Sequence, residues 1–189
     1  NSDILNNSLP YTAISQYAAT PGFLSNLSAY YSVINGHLIT QTYQVGMINE
    51  WQKLNSDLHL TQPDGSVSAY KGDVGNALLW QRNKAYVNTS YSLKKDDWQA
   101  SLSVPLFWQL IHYYQDAYAL NSKNHRFFLN PSANIKFFIN AEDYLLANYR
   151  YNNSMGNIAG VYRGLILTNY RSLYVNDAEL QEQYSIVVE

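Results

Sequence analysis

Hydrophobic and polar residues alternate with a period of two along most of this chain. Trp98, Ala100, Leu102, Val104 and Leu106 alternate with Gln99, Ser101, Ser103 and Pro105. Ala85, Val87, Thr89, Tyr91 and Leu93 alternate in the same way with Lys84, Tyr86, Asn88, Ser90 and Ser92. The charged stretch Lys94-Lys95-Asp96-Asp97 joins these two runs into a predicted tight hairpin. Successive side chains of a strand point to opposite faces, so each run has one apolar face and one polar, mostly uncharged face. The pattern predicts an all-β chain arranged as an antiparallel up-and-down meander.

The same rhythm places the other elements. Leu27, Ala29, Tyr31 and Val33 precede Asn35-Gly36, a hairpin signal because a type I′ turn needs φ > 0 at both central residues. The return strand is expected from His37 to about Ile48, residues 49–57 as a connection, and residues 58–62 as a further strand. Pro63-Asp64-Gly65-Ser66 opens a longer polar loop containing Gly72 and Gly75. In residues 108–119 helical spacing competes with aromatic and β-branched content, and the content favours strand. Ile135, Phe137 and Ile139 form a short alternating run, followed by a turn over residues 141–143 and by Leu145, Ala147, Tyr149 and Tyr151. Residues 152–160 read as a loop, 161–174 as strand, and 177–183 as a polar turn or linker. Residues 1–23, broken by Pro10 and Thr20-Pro21-Gly22, read as an irregular N-terminal segment, with at most a helical turn or irregular strand over 11–19. Residues 24–189 then hold an antiparallel segment of about eight or nine strands.

Turn lengths sharpen this picture. The short turns at Asn35-Gly36, at residues 94–97 and at residues 141–143 are separated by connections that include longer loops at 63–75 and 152–160. Membrane β-barrels show this asymmetry, with short turns at one rim and long loops at the other.

Composition then narrows the function classes. Of 189 residues 14% are charged and 47% hydrophobic, which is far from the signature of disorder, and 18 Tyr and 4 Trp make the chain aromatic. With 12 Lys and Arg and a net charge of −2, it lacks the basic footprint that nucleic acid demands. It has no cysteine, hence no disulfide framework or thiolate chemistry, a condition equally compatible with cytosol and bacterial envelope. No apolar run approaches the roughly 18 residues of a membrane helix, but a spanning strand needs only about 9 to 11. Alternation cancels in any average, so the mean hydropathy of −0.31 is silent about a barrel.

No catalytic grouping stands out. His37, His59, His112 and His125 share no metal-ligand spacing, and there is no nucleophile elbow, phosphate loop or dinucleotide fingerprint. Asp64, Asp73 and Asn76 carry oxygens suited to Ca²⁺, but without a fixed ligand spacing a solvated turn is the better reading. Asp96 and Asp97 are adjacent turn residues rather than an acid/base pair. No catalytic, cofactor-binding or metal-binding residue is predicted. The tyrosines are more informative: Tyr91, Tyr149 and Tyr151, with Trp98, lie at strand ends on the apolar side, as in an aromatic girdle or the rim of a soluble core.

Several stretches carry a resemblance. Phe128-Leu129-Asn130-Pro131-Ser132, Tyr149-Arg150-Tyr151-Asn152 and Arg163-Gly164-Leu165-Ile166-Leu167-Thr168-Asn169-Tyr170-Arg171 resemble the barrel of TonB-dependent outer-membrane receptors of the Bacteroidetes type. Asn76-Ala77-Leu78-Leu79-Trp80-Gln81-Arg82 and residues 98–106 resemble earlier strands of such barrels, and the resemblance runs over residues 24–180. It implies a Gram-negative outer-membrane location and uptake of a solute with energy relayed by TonB, with no catalytic activity and no cofactor. Barrels of that size have about 22 strands around a plug. The chain would therefore be an internal fragment whose partners are membrane lipid, the remaining strands and a transported solute. On this reading Leu102, Val104, Ala147 and Tyr149 meet lipid, while Asn88, Ser101, Asn148 and Arg150 face the lumen. Unpaired edges of an open fragment also invite oligomerisation. The rival reading is a self-contained soluble β-sandwich or small barrel that binds a carbohydrate or an apolar ligand.

Overall fold

A computed structural model describes residues 11–36, 38–69, 76–169, 172–175 and 179–189. Twelve strands follow in chain order: β1 Ala13–Ala19, β2 Gly22–Asn35, β3 Ile39–Thr61, β4 Val67–Ala69, β5 Asn76–Lys95, β6 Trp98–Gln115, β7 Leu120–Leu129, β8 Ser132–Phe138, β9 Tyr144–Met155, β10 Leu165–Asn169, β11 Ser172–Val175 and β12 Glu182–Val188. Ten of them form one antiparallel sheet, and β10 pairs with β11 in a separate hairpin. The all-β, antiparallel, up-and-down expectation holds, and the sheet is unclosed.

The strand count hides a simpler order. β1 and β2 lie end to end along one edge of β3, with Ala19 opposite Asn55 and Gly22 opposite Gln52, so Thr20-Pro21 interrupts the strand without shifting its register. β7 and β8 lie end to end along β6 in the same way, with Leu129 opposite Leu106 and Ser132 opposite Ser103. Proline has no N–H to give to a ladder and is tolerated where pairing is already broken. Pro105 sits in β6 opposite that second gap, and its carbonyl accepts from Asn130 N at 3.1 Å. A strand residue directs N–H and C=O to the same neighbour, so the missing donor of Pro105 falls at the gap. Asn130 bridges it from the other side: Oδ1 accepts from Asn153 N at 3.0 Å, and Nδ2 donates to Asn153 O and Asn152 Oδ1, each at 3.1 Å.

Several boundaries differ from the sequence reading. Residues 13–19 form a regular strand rather than part of an irregular segment, held by β3 from Thr61 to Asn55. β3 runs unbroken for 23 residues through the stretch expected to be a connection, because β2 and β5 flank it on both edges. The Asn35-Gly36 hairpin is present, but Asn35 pairs with Ile39 and leaves a three-residue loop in which Gly36 has φ +64°. β6 is strand over residues 108–115 of the stretch where a helix competed, and Asp116–Tyr118 close it with a single 3₁₀ turn. The turn before β9 is held by Asn140, whose Oδ1 accepts from Glu142 N at 2.8 Å and Asp143 N at 2.7 Å. Residues 152–155 extend β9, and the expected strand over 161–174 is instead a one-turn helix α1, Ile158–Val161, followed by the β10–β11 hairpin. Its Asn157 cap accepts from Gly160 N at 3.2 Å. The expected turn or linker over 177–183 gives way to strand at Glu182 and Gln183, where β12 begins, and residues 177 and 178 lie outside the described residues.

The buried core sits at one end of the sheet. Leu78, Trp80, Ile111, Tyr113 and Phe128 share one face there and pack with Met155, Ile158, Val161 and Tyr162, so the segment after β9 folds back over that face. Trp80 and Tyr113 stack with ring centroids 5.9 Å apart. Gln115, fully buried, ties the segment down by accepting from Arg163 N at 3.3 Å.

Candidate functional site

Register assigns every side chain of the sheet to one of two faces. The first carries Thr40, Thr42 and Gln44 of β3, Asn88, Ser90 and Ser92 of β5, Ser101 and Ser103 of β6, Ser132 and Asn134 of β8, and Asn148 and Arg150 of β9. All four residues predicted to face a lumen, Asn88, Ser101, Asn148 and Arg150, lie on this face. The second carries Leu102, Val104, Ala147 and Tyr149, the four assigned to lipid.

The polar face holds a concavity of about 560 Å³ whose lining includes Thr42, Ser90, Ser101, Asn134, Asn148 and Arg150. Its polar groups bond laterally across strands. Ser103 Oγ donates to Asn88 Oδ1 at 3.0 Å, Ser32 and Thr42 hydroxyls lie 3.0 Å apart, and Asn134 Nδ2 donates to Asn148 Oδ1. Three of the four predicted residues thus line one cavity, with Asn88 bonded to a fourth wall residue, Ser103.

Nearer the buried core the same face becomes charged. Arg82 and Glu50 are directly paired across β5 and β3 and form an ion pair that is largely shielded from solvent. The Lys84 ammonium lies 4.0 Å from the Phe107 ring centroid and, at the far end of this face, Lys136 lies 3.8 Å from that of Tyr144, distances at which ring quadrupoles attract a cation. The sequence reading missed these charges, although Lys84 has the same parity as Asn88 and was assignable to the same face by the period alone.

The opposite face is apolar and open. In β3, β5 and β6 every exposed large hydrophobic residue belongs to it: Ile39, Tyr43, Val45, Met47 and Trp51, then Val87 and Tyr91, then Leu102, Leu106 and Trp108. Neighbouring rows add Leu27, Tyr31, Leu129, Ile135, Tyr149 and Ile186. Beyond Met47 one mostly polar row crosses this face, with Phe23 and Trp51 exposed on its far side. Ser25 lies opposite Asn49, Asn49 opposite Asn83, Asn83 opposite Leu110, and Leu110 opposite His125. Within the band β5 contributes residues 85–93 and β6 residues 98–108.

The remaining candidates are scattered. His59, His112 and His125 lie on the apolar side of the sheet, outside the cavity, and His37 lies outside the described residues. His112 Nε2 pairs with Asn121 Oδ1 at 3.1 Å. Among the described residues no group of three or more His, Asp or Glu is placed to hold a metal ion. Asp64 caps its own turn, accepting from Ser66 Oγ at 2.6 Å and Ser66 N at 2.9 Å, and these bonds hold its carboxyl below the ordinary aspartate range. Asp73 lies outside the described residues. Asp96 and Asp97 form the two-residue turn between Lys95 and Trp98. No protein-family model, curated protein or solved structure matches this chain.

Proposed function

We propose that the chain is part of the wall of an outer-membrane β-barrel, with its apolar face against lipid and its polar face lining a solute path. The observation that carries this reading is the apolar band, which crosses the sheet and which in β3, β5 and β6 holds every exposed large hydrophobic side chain. A strand rises about 3.4 Å per residue, so about eleven residues tilted by about 45° cover roughly 25 Å, the height of a lipid-facing barrel band. Among the described residues no strand pairs with the outer edges of β2 and β12, which supports the same reading because a barrel wall continues at both edges into further strands. Within that reading the resemblance to TonB-dependent receptors assigns the chain to solute uptake, with lipid and neighbouring barrel strands as its partners and no chemistry of its own.

Tryptophan fluorescence of the full chain reconstituted in vesicles of brominated phospholipid tests this. Single-tryptophan variants that retain Trp98 or Trp108 should be strongly quenched, and one that retains Trp80, buried on the opposite face, should not be. A monodisperse chain without detergent whose Trp98 and Trp108 ignore the bromine would sink the membrane reading and favour a soluble sheet.

A further inference from the structure

The sheet divides along β7. Asn130 N donates to Pro105 O, which turns the even residues of β7 toward β6, and Pro131 O accepts from Tyr151 N at 2.9 Å, which turns the odd residues toward β9. Beside β8, β9 takes up those odd positions. Past Asn130 it leaves: residues 151–155 pair with β12 alone, and the chain then turns over the buried core. The side-chain amide of Asn130, bonded to both the N–H and the C=O of Asn153, is the last rung between the two strands. Asn121, Lys123, His125, Phe127 and Leu129 therefore direct their N–H groups at an edge that no strand occupies among the described residues. Of their carbonyls, that of His125 accepts from Arg126 Nη1 at 3.2 Å. All five side chains lie on the apolar face of the sheet and are exposed, Phe127 by 69%.

We infer that this edge of β7 seats one extended acidic peptide, which joins the sheet as an added strand. A row of unpaired N–H and C=O groups is a template for β-augmentation, in which main-chain bonds supply affinity and alternate side chains supply selectivity. The selectivity is written in β7. Lys123 and His125 are neighbours on one face, β7 has no carboxylate of its own, and neither residue has an ion-pair partner among the described residues. A seated strand that brings carboxylates to their level gains charge-assisted bonds. At the other end Phe127 and Leu129 favour apolar neighbours. A second copy is the poorer occupant, because β7 laid antiparallel against β7 sets cations against cations. The slot follows from register and hydrogen bonding and is independent of the membrane reading. In a bilayer the same occupant would also satisfy the backbone of Phe127 and Leu129, which lie at the level of the apolar band, where unpaired groups are costly.

The test uses the full chain in detergent micelles and two labelled peptides of about ten residues, Val-rich in one half and either Glu-rich or Lys-rich in the other. Fluorescence anisotropy should show the Glu peptide binding at least about tenfold tighter than the Lys peptide, with the preference falling as salt rises to about 500 mM. Hydrogen exchange of Lys123, His125 and Phe127 should slow on binding, while Asn124 and Arg126, already bonded to β6, stay unchanged. His125→Pro removes one N–H from the open edge and none from the β6 ladder, and should weaken binding about tenfold. N-methylation of the peptide amides that face β7 should abolish binding without altering the protein. Lys123→Glu combined with His125→Glu should reverse the preference. Equal binding of the two peptides, binding that survives N-methylation, or no binding overturns the proposal. Slow exchange of Lys123 and His125 without peptide overturns it too, and a dependence of that protection on protein concentration then assigns the edge to a second copy. These readouts use no bilayer, so the bromine quenching of Trp98 and Trp108 tests the barrel reading separately.

Discussion

Tyr86 lies flat over Gly46 across the β3–β5 pair. A Cβ built on Gly46 would stand 2.5 Å from Tyr86 Cζ and 2.6 Å from its hydroxyl oxygen, so the glycine is the floor on which the ring rests. The ring is held there from its other side, with the Phe107 centroid at 5.9 Å and Gln44 Nε2 donating to the tyrosine oxygen at 3.3 Å. An aromatic ring covering a cross-strand glycine restores the packing that the missing side chain forfeits. Gly46→Ala should therefore push the ring off its seat and cost about 1 to 2 kcal/mol, since the clashing atoms belong to a side chain that can move. In a double-mutant cycle measured by denaturant unfolding, adding Tyr86→Ala should make Gly46→Ala nearly neutral. Additive costs would show that the two residues do not act as a unit.

Ser101 and Leu102 are sequence neighbours on opposite faces of β6, both exposed, Leu102 by 44%. In a bilayer the two positions are not equivalent. Leu102→Arg should destabilise the vesicle-folded chain by about 2 to 4 kcal/mol, whereas Ser101→Arg should change it by less than about 1 kcal/mol. Unfolding titrations of the two variants in the same vesicles check this, and equal effects would count against lipid on the Leu102 side.

The end of the sheet that carries the core should be the most sensitive to truncation of apolar side chains. Ile111 is 1% exposed and contacts the cluster that includes Ile158 and Val161. Ile111→Ala should cost about 2 to 5 kcal/mol. Hydrogen exchange should report the loss first in residues 156–163, whose anchorage depends on that cluster.

Asp64 supplies a pH prediction. Its carboxyl is held low by the hydroxyl and the amide of Ser66, so the folded value lies below the unfolded one. The order it gives the Gln62 to Ser66 turn is present above the ordinary aspartate value and is lost as pH falls through the lowered folded value. Ser66→Ala should move the Asp64 titration upward when followed by carboxyl NMR. An unchanged midpoint would show that the backbone bond alone sets it.

How much of this was legible in the sequence depends on what each face touches. Leu102 and Ser101 were assignable at once because lipid or core on one side and polar groups on the other leave a period of two. Asn49, Glu50, Gln52 and Lys53 read as a connection in the sequence because beyond Met47 apolar residues are sparse, Trp51 and Leu54 standing among polar neighbours, and the period fades. The strand persists there through pairing with β2 on one edge and β5 on the other, and no local pattern records that pairing. Residues 158–161 failed for a related reason: Ile158 and Val161 are apolar because they close over Trp80 and Ile111, far away in the chain.

The sequence by itself determined an antiparallel meander, its short turns and the side of the sheet on which Asn88, Ser101, Asn148 and Arg150 stand. These follow from local rules, the alternation of side chains and the chemistry of turns. Only the tertiary structure decided that the strands run past the apolar band, that prolines at two gaps leave the register intact, and that Arg82, Lys84, Arg126, Lys136 and Arg150 gather on one face. Those properties arise from register between strands, and register is set by pairing between residues that the chain brings together only when it folds.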